Sequence, residues 1–115
     1  MTEIFGKLCE NFVAVSNQES AIYSLFYMTI SGVSHRFFLD AGALFWSSGM
    51  EPDEDDDLLE GDVYVDFAKQ YDLAGSRIES IDFANDLLRM RFANGVRLNF
   101  ACGVDECGGR LIDSP

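Results

Sequence analysis

The stretch from Leu87 to Cys102 constrains this chain more than any other. Leu88, Met90 and Phe92 alternate with Arg89 and Arg91, and Val96, Leu98 and Phe100 alternate with Arg97 and Asn99. A period of two marks strands with one buried face. A slip of one residue would turn every apolar side chain outward, so the pattern dictates the register. For the two apolar sets to share a face, Phe92 must pair with Val96, Met90 with Leu98 and Leu88 with Phe100. That leaves Ala93, Asn94 and Gly95 as a three-residue loop, with Gly95 in the left-handed position of a G1 bulge. A two-residue Asn94–Gly95 turn would instead set Phe92 against Arg97. Ile81 and Phe83 match Met90 and Leu88 if Asn85–Asp86 is a two-residue loop. Residues 77–84, 87–93 and 96–102 therefore read as a three-stranded antiparallel meander. Its opposite face lines Asp82 against Arg89, Ser80 against Arg91, and Arg91 against Arg97.

Upstream, the spacing predicts an opening helix over 2–14. Ile4, Leu8 and Phe12 recur every four residues, as do Phe5, Cys9 and Val13, with Thr2 as N-cap. Residues 21–30, rich in Ile, Tyr, Phe and Thr, suit a strand that turns at Ser31–Gly32. A second run over 34–46 is broken at Ala41–Gly42, read as a bulge or bend. Residues 63–71 fit a helix through Val63, Phe67 and Tyr71, with Asp62 as cap, or a strand through Val63, Val65 and Phe67. The helix is the preferred reading. The expected fold is α+β: an antiparallel sheet ending in the meander, with an N-terminal helix and a second short helix packed on one face. At 115 residues, 48% of them apolar and ten of them Phe, the chain suits one domain, 1–115, with a real core.

Charge is concentrated. Residues 51–62 hold Glu51, Asp53, Glu54, Asp55, Asp56, Asp57, Glu60 and Asp62 and no base, eight of the twenty acids in a chain of net charge −12. This acidic loop favours cationic partners and repels nucleic acid and anionic membranes. A solvated loop that keeps the protein in solution is the plain reading. Against it, eight like charges in twelve residues cost stability by self-repulsion, and a loop needing only solubility could mix signs. The functional reading is a docking surface for a basic partner, weakening with salt.

Other candidates are weaker. Asp53, Asp55 and Asp57 fail as an EF-hand, because Leu58 and Tyr64 stand where Gly and Glu are needed. Arg89, Arg91 and Arg97 form a basic strip, with Asp82 as a ready cross-strand partner. In a chain of charge −12 they make a poor nucleic-acid platform. His35 has no Ser or Cys nearby in a nucleophile motif. Cys9, Cys102 and Cys107, an odd number with no secretory signal in the first fifteen residues, read as reduced thiols of a cytosolic protein. A zinc site from these with His35 is open on ligand type, but spacing does not argue for it. The expectation is no metal and no cofactor. No apolar run reaches the roughly 18 residues of a membrane span. Trp46, with Phe45 and Met50, abuts the acidic loop. Core packing is its plain role, and a contact hot spot its functional one.

Tyr71–Asp72–Leu73, Gly75, Ile78, Ile81 and the run from Leu87 to Leu98 resemble the closing meander of several small immunity proteins. Those come from bacterial contact-dependent growth inhibition and related polymorphic toxin systems. The likeness covers about a quarter of the chain. It implies a cytoplasmic protein that binds and neutralises a cognate toxin domain, frequently a basic nuclease, and it assigns no site residue. The residues themselves agree in type. Asp53, Glu54, Asp55, Asp56, Asp57 and Glu60, with Trp46, are the expected contacts, filling a phosphate-binding cleft and occluding substrate. The alternative is an acidic nucleic-acid mimic that inhibits a restriction or CRISPR effector, although mimicry calls for acids spread over a surface. No acid–base or nucleophile set points to an enzyme.

Overall fold

The computed structural model describes residues 5–17, 22–40, 42–49, 52, 57–58, 60–102 and 108–113. The strands are β1 (Cys9–Asn17), β2 (Ile22–Ile30), β3 (Val33–Asp40), β4 (Ala43–Ser48), β5 (Asp62–Asp66), β6 (Ile78–Ala84), β7 (Leu87–Phe92), β8 (Arg97–Cys102) and β9 (Gly109–Asp113), and a short helix, α1 (Phe67–Gln70), follows β5. All nine strands belong to one antiparallel sheet. Its order is β4-β3-β2-β9-β8-β7-β6, and β1 pairs with both β2 and β5. The fold is therefore mostly β, a curled half-barrel, and not the expected α+β arrangement.

The expected N-terminal helix over 2–14 is not formed: residues 5–7 are turn and bend, and strand β1 begins at Cys9. A spacing of four belongs to a strand face as much as to a helix face, because it is also a multiple of two. What decides is coverage. β1 lies between β2 and β5, and it buries Phe12 and Ala14 on the core face and Val15 on the other. A strand covered on both faces reads as a continuous apolar run, which periodicity does not separate from a helix. The 63–71 segment splits between its two readings. β5 ends at Asp66, whose carboxylate accepts the Lys69 N–H at 3.0 Å and caps α1, so the cap is Asp66 and not Asp62. Where a bulge or bend was expected the chain reverses, since Asp40 pairs with Ala43 and β4 runs back along β3. The turn at Ser31–Gly32 has both φ angles positive, 48° and 81°, the twist that two-residue hairpins require.

The meander follows its expected register. Met90 pairs with Leu98 and Leu88 with Phe100, the Phe92 N–H donates to the Val96 carbonyl at 3.0 Å, and Gly95 has φ +94°. Ile81 pairs with Met90 and Phe83 with Leu88. A further strand, β9, which the sequence pattern did not mark, extends it.

Two junctions curl the sheet. β2 gives its whole length on one edge to β1, while its other edge is shared by β3 along Leu25–Ile30 and by β9 at Ile22 and Tyr23. On the far side of β1, Lys7, Leu8 and Cys9 hydrogen-bond to Ser76, Arg77 and Ile78 through an isolated bridge and its flanking amides. Aromatic rings fill the space enclosed. Phe26 meets Phe100 at 4.9 Å and Phe12 meets Phe67 at 5.3 Å between centroids, so α1 plugs one end of the core.

β9 reaches β2 only because Gly108 has no side chain. A Cβ there would lie 2.5 Å from both Ile22 Cγ2 and the Tyr23 carbonyl oxygen, at a φ of +148°. Gly108→Ala is expected to cost ~2 kcal/mol or more, seen as a lower urea midpoint. Gly32→Ala, whose Cβ meets nothing within 4 Å, should lose only the roughly 1 kcal/mol of a left-handed φ. Equal losses would show that the close approach to β2 is not what limits the site.

Candidate functional site: an acidic strap across the sheet

Residues alternate between the two faces of a strand, and the face away from the core carries Val13 and Val15 on β1, Tyr27 on β2, Arg36 on β3 and Tyr64 on β5. Tyr27 lies between the core residues Phe26 and Met28 in sequence, so it points outward, yet it is only 4% exposed. Asp57 of the acidic loop lies over it. That loop joins β4 to β5, which both lie at sheet edges, and its residues Pro52 and Asp57 both meet this outer face. Pro52 closes a cavity of about 200 Å³ over Asn11, Val13, Tyr27, Thr29 and Ser34. Asp57 then docks between two phenols. Its Oδ1 accepts from Tyr27 Oη and its Oδ2 from Tyr64 Oη, each at 2.8 Å.

Both carboxylate oxygens are thus engaged. A charged acceptor makes each bond stronger than a neutral one. Arg36, paired with Tyr27 in the β2–β3 register, also bonds the Tyr27 hydroxyl. Burial, and then the Asp57 carboxylate, push the Tyr27 phenol up to about 12, with Arg36 pulling the other way. At the far end of the strap, Asp62 accepts from Asn17 Nδ2 at 3.0 Å as β5 begins.

The expected contact residues divide accordingly. Asp57 is part of an internal clamp, and Glu60 is exposed. Asp53, Glu54, Asp55 and Asp56 lie outside the described residues, as does Cys107. Trp46 is half-buried on the opposite, core side of the sheet. Its indole stacks 6.1 Å from Phe37 at 11°, and its N–H donates to His35 Nδ1 at 3.1 Å. An indole is only a donor, so that imidazole nitrogen is unprotonated. Trp46 and Asp57 are therefore not brought together. The exposed aromatic on the strap's own face is Phe45, 55% exposed and 6.0 Å from Phe38. Sequence reasoning passed over it although it is one position from Trp46, and strand parity would have separated the two. Tyr27 and Tyr64 were also missed, since no local pattern ties them to Asp57.

Cys9 and Cys102 are both buried, and burial, then the neighbouring Glu10, push Cys9 up to about 12. Among the described residues no group of three or more His, Cys, Asp or Glu is placed to hold a metal ion, and no helix is long and apolar enough to cross a membrane. No family model, curated protein or solved structure matches the chain.

The clamp can be tested by proteolysis. Residues 51–62 hold no Lys or Arg, so trypsin leaves them alone, whereas an endoprotease specific for acidic residues can cut them. Asp57→Ala should speed cleavage within 51–60 and lower the melting midpoint. Tyr27→Phe and Tyr64→Phe should each cost ~1.5–3 kcal/mol, the range for a bond to a charged group. Cleavage of Asp57→Ala at the wild-type rate would show that the carboxylate does not hold the strap.

Alkali gives a second test. Cys9 and Tyr27 titrate near 9 and 10 when unperturbed and near 12 in the fold. An acid whose folded pKa is raised adds stability that is whole below its unfolded pKa and is lost as pH rises toward the folded one. Stability should therefore begin to fall above pH 9 and fall faster above pH 10. Tyr27→Phe, less stable at neutral pH, should lack the part that begins at pH 10. An unchanged slope in that variant would remove Tyr27 from the account.

Proposed function

We propose that this protein is a small acidic binding module that neutralises a basic protein partner, as an immunity protein neutralises its toxin domain. It would act in the cytoplasm by occlusion, without a cofactor and without chemistry of its own. The observation that carries the reading is the strap. Pro52 and Asp57, which flank Asp53, Glu54, Asp55 and Asp56 in sequence, both lie on the outer face of a rigid sheet. Anchoring at Asp57 and Asp62 limits the conformational freedom that a partner would otherwise have to remove, which is how preorganisation raises affinity.

The chemistry favours a cationic cleft. Eight acids within twelve residues give a local field that speeds encounter with a basic surface and discourages nucleic acid and anionic membranes. A nuclease whose phosphate-binding cleft is lined with Lys and Arg is the natural target. Phe38 and Phe45, beside the strap on the same face, offer the apolar contact that charge alone lacks.

The test is capture from a lysate of the source cell, washed at low and at high salt, with wild type and with a variant carrying Asp53, Glu54, Asp55, Asp56 and Glu60 changed to Ser or Asn. Asp57 and Asp62 are left intact, so that the fold is not at issue. The expected result is one stoichiometric basic partner, released by high salt and not retained by the variant, whose melting midpoint matches wild type. A partner held equally by both proteins would rule out the strap as the docking surface. No specific partner at low salt would overturn the neutralising role itself.

A further inference from the structure

The outer face of the meander carries an open groove of about 350 Å³ lined by Ser80, Asp82, Arg89, Arg91, Arg97 and Asn99. Three of the chain's eight basic residues converge there. Asp82 answers only one of them: Arg89 Nε lies 3.0 Å from its Oδ1. Arg91 and Arg97 stand directly opposite each other across β7 and β8, and among the described residues neither has an ion-pair partner. Like charges in directly paired positions destabilise a sheet. In a chain with twenty acids, the ion pair that the groove shows is the one between Arg89 and Asp82.

We infer that this groove binds a phosphate group, as free phosphate or as a small phosphomonoester, between Arg91 and Arg97. The argument for phosphate over carboxylate is a count of donors. One guanidinium fork satisfies a carboxylate's two oxygens. Two facing forks, with the Ser80 hydroxyl beside them, offer more donors than a carboxylate can accept. A phosphomonoester brings three terminal oxygens and close to two negative charges, which matches two arginines in both respects. The same charge balance excludes a long polyanion, whose further phosphates would meet a protein of net charge −12. The site is on a different part of the sheet from the strap, so it stands or falls independently of the neutralising role.

The test is a titration of the intact protein at constant ionic strength with inorganic phosphate, glucose 6-phosphate and acetate, followed by the arginine Nε–H resonances and by thermal melting. Both phosphates should give saturable shifts at Arg91 and Arg97 and raise the melting midpoint. Arg97→Gln should weaken the binding by roughly tenfold or more, the scale of one charge-assisted hydrogen bond. Without ligand it should melt at or above the wild-type midpoint, because the like-charge pair is gone. Tighter binding of the ester than of inorganic phosphate would identify a phosphomonoester as the ligand, and the reverse would identify the free anion. Equal shifts with acetate, no saturation by tens of millimolar of either phosphate, or undiminished binding in Arg97→Gln would each overturn the site.

Discussion

Everything in this fold hangs on the one edge of β2 that two strands share. β3 occupies most of it and β9 takes the last two pairs, Ile22 with Arg110 and Tyr23 with Gly109. Without those pairs the two antiparallel halves would meet only through the bridge between Leu8 and Arg77 and its flanking amides, and the apolar faces between them would open to water. Their contact brings Phe26 against Phe100 and Tyr23 against both Phe67 and Phe100, so the core is made from both halves at once. The approach is close enough that glycine is required at Gly108. At Gly109 a Cβ would sit 3.1 Å from both Leu39 and Phe100, a tight contact that those side chains would have to relieve by shifting. A residue without a side chain at Gly108 thus permits the long-range pairing, which is the slow and costly step in assembling a sheet of this kind.

The strap is the second constraint, and it depends on the first. Crowded acids repel one another, and a loop carrying them would stand away from the protein if nothing held it. Here the holding groups are phenols, which can meet a carboxylate without adding positive charge that would cancel the field. Tyr27 and Tyr64 reach Asp57 from strands on either side of β1, so their spacing is set by the sheet. The loop is thereby tied down while its charge is left intact. An arginine in the same place would hold the loop more tightly and weaken the surface it presents.

The meander was legible because each of its strands buries one face only, so parity, register and loop length could be read together from Ile81 to Phe100. The N-terminal half was not, for a physical reason. β1 is covered on both faces, and its Phe12-Val13-Ala14-Val15 run carries no period. β5 passes into α1 within a few residues, so Val63 and Phe67 fit either element until the cap at Asp66 is known. β9 was hidden behind glycines that look like loop residues, one of which, Gly108, is in fact the condition for its pairing. At the site, the acidic charge was visible and its anchor was not. Tyr27 is thirty residues from Asp57, and no local rule selects it. Phe45 and Trp46 could have been told apart. Once Asp40 is paired with Ala43, Phe37 pairs with Trp46 and Phe38 with Phe45, which places one ring inside and the other out.

The arrangement of charge also answers how one small acidic protein can present an anionic and a cationic surface together. β7 is three strands from β2 along the sheet, roughly 15 Å at the usual spacing between neighbouring strands, and the curl turns the two outer faces further apart. Screening at physiological salt takes hold within about 8 Å. A charged group at the arginine groove is therefore governed by Arg91 and Arg97, and one at the strap by its acids, with little cross-talk. At long range a partner meets only the net negative charge, so a basic molecule is drawn in without regard to face. Within a screening length it is turned, because the meander repels it where the strap attracts it. Opposite local fields on one sheet thus orient a cationic partner toward the strap face, a selectivity that net charge alone would not supply.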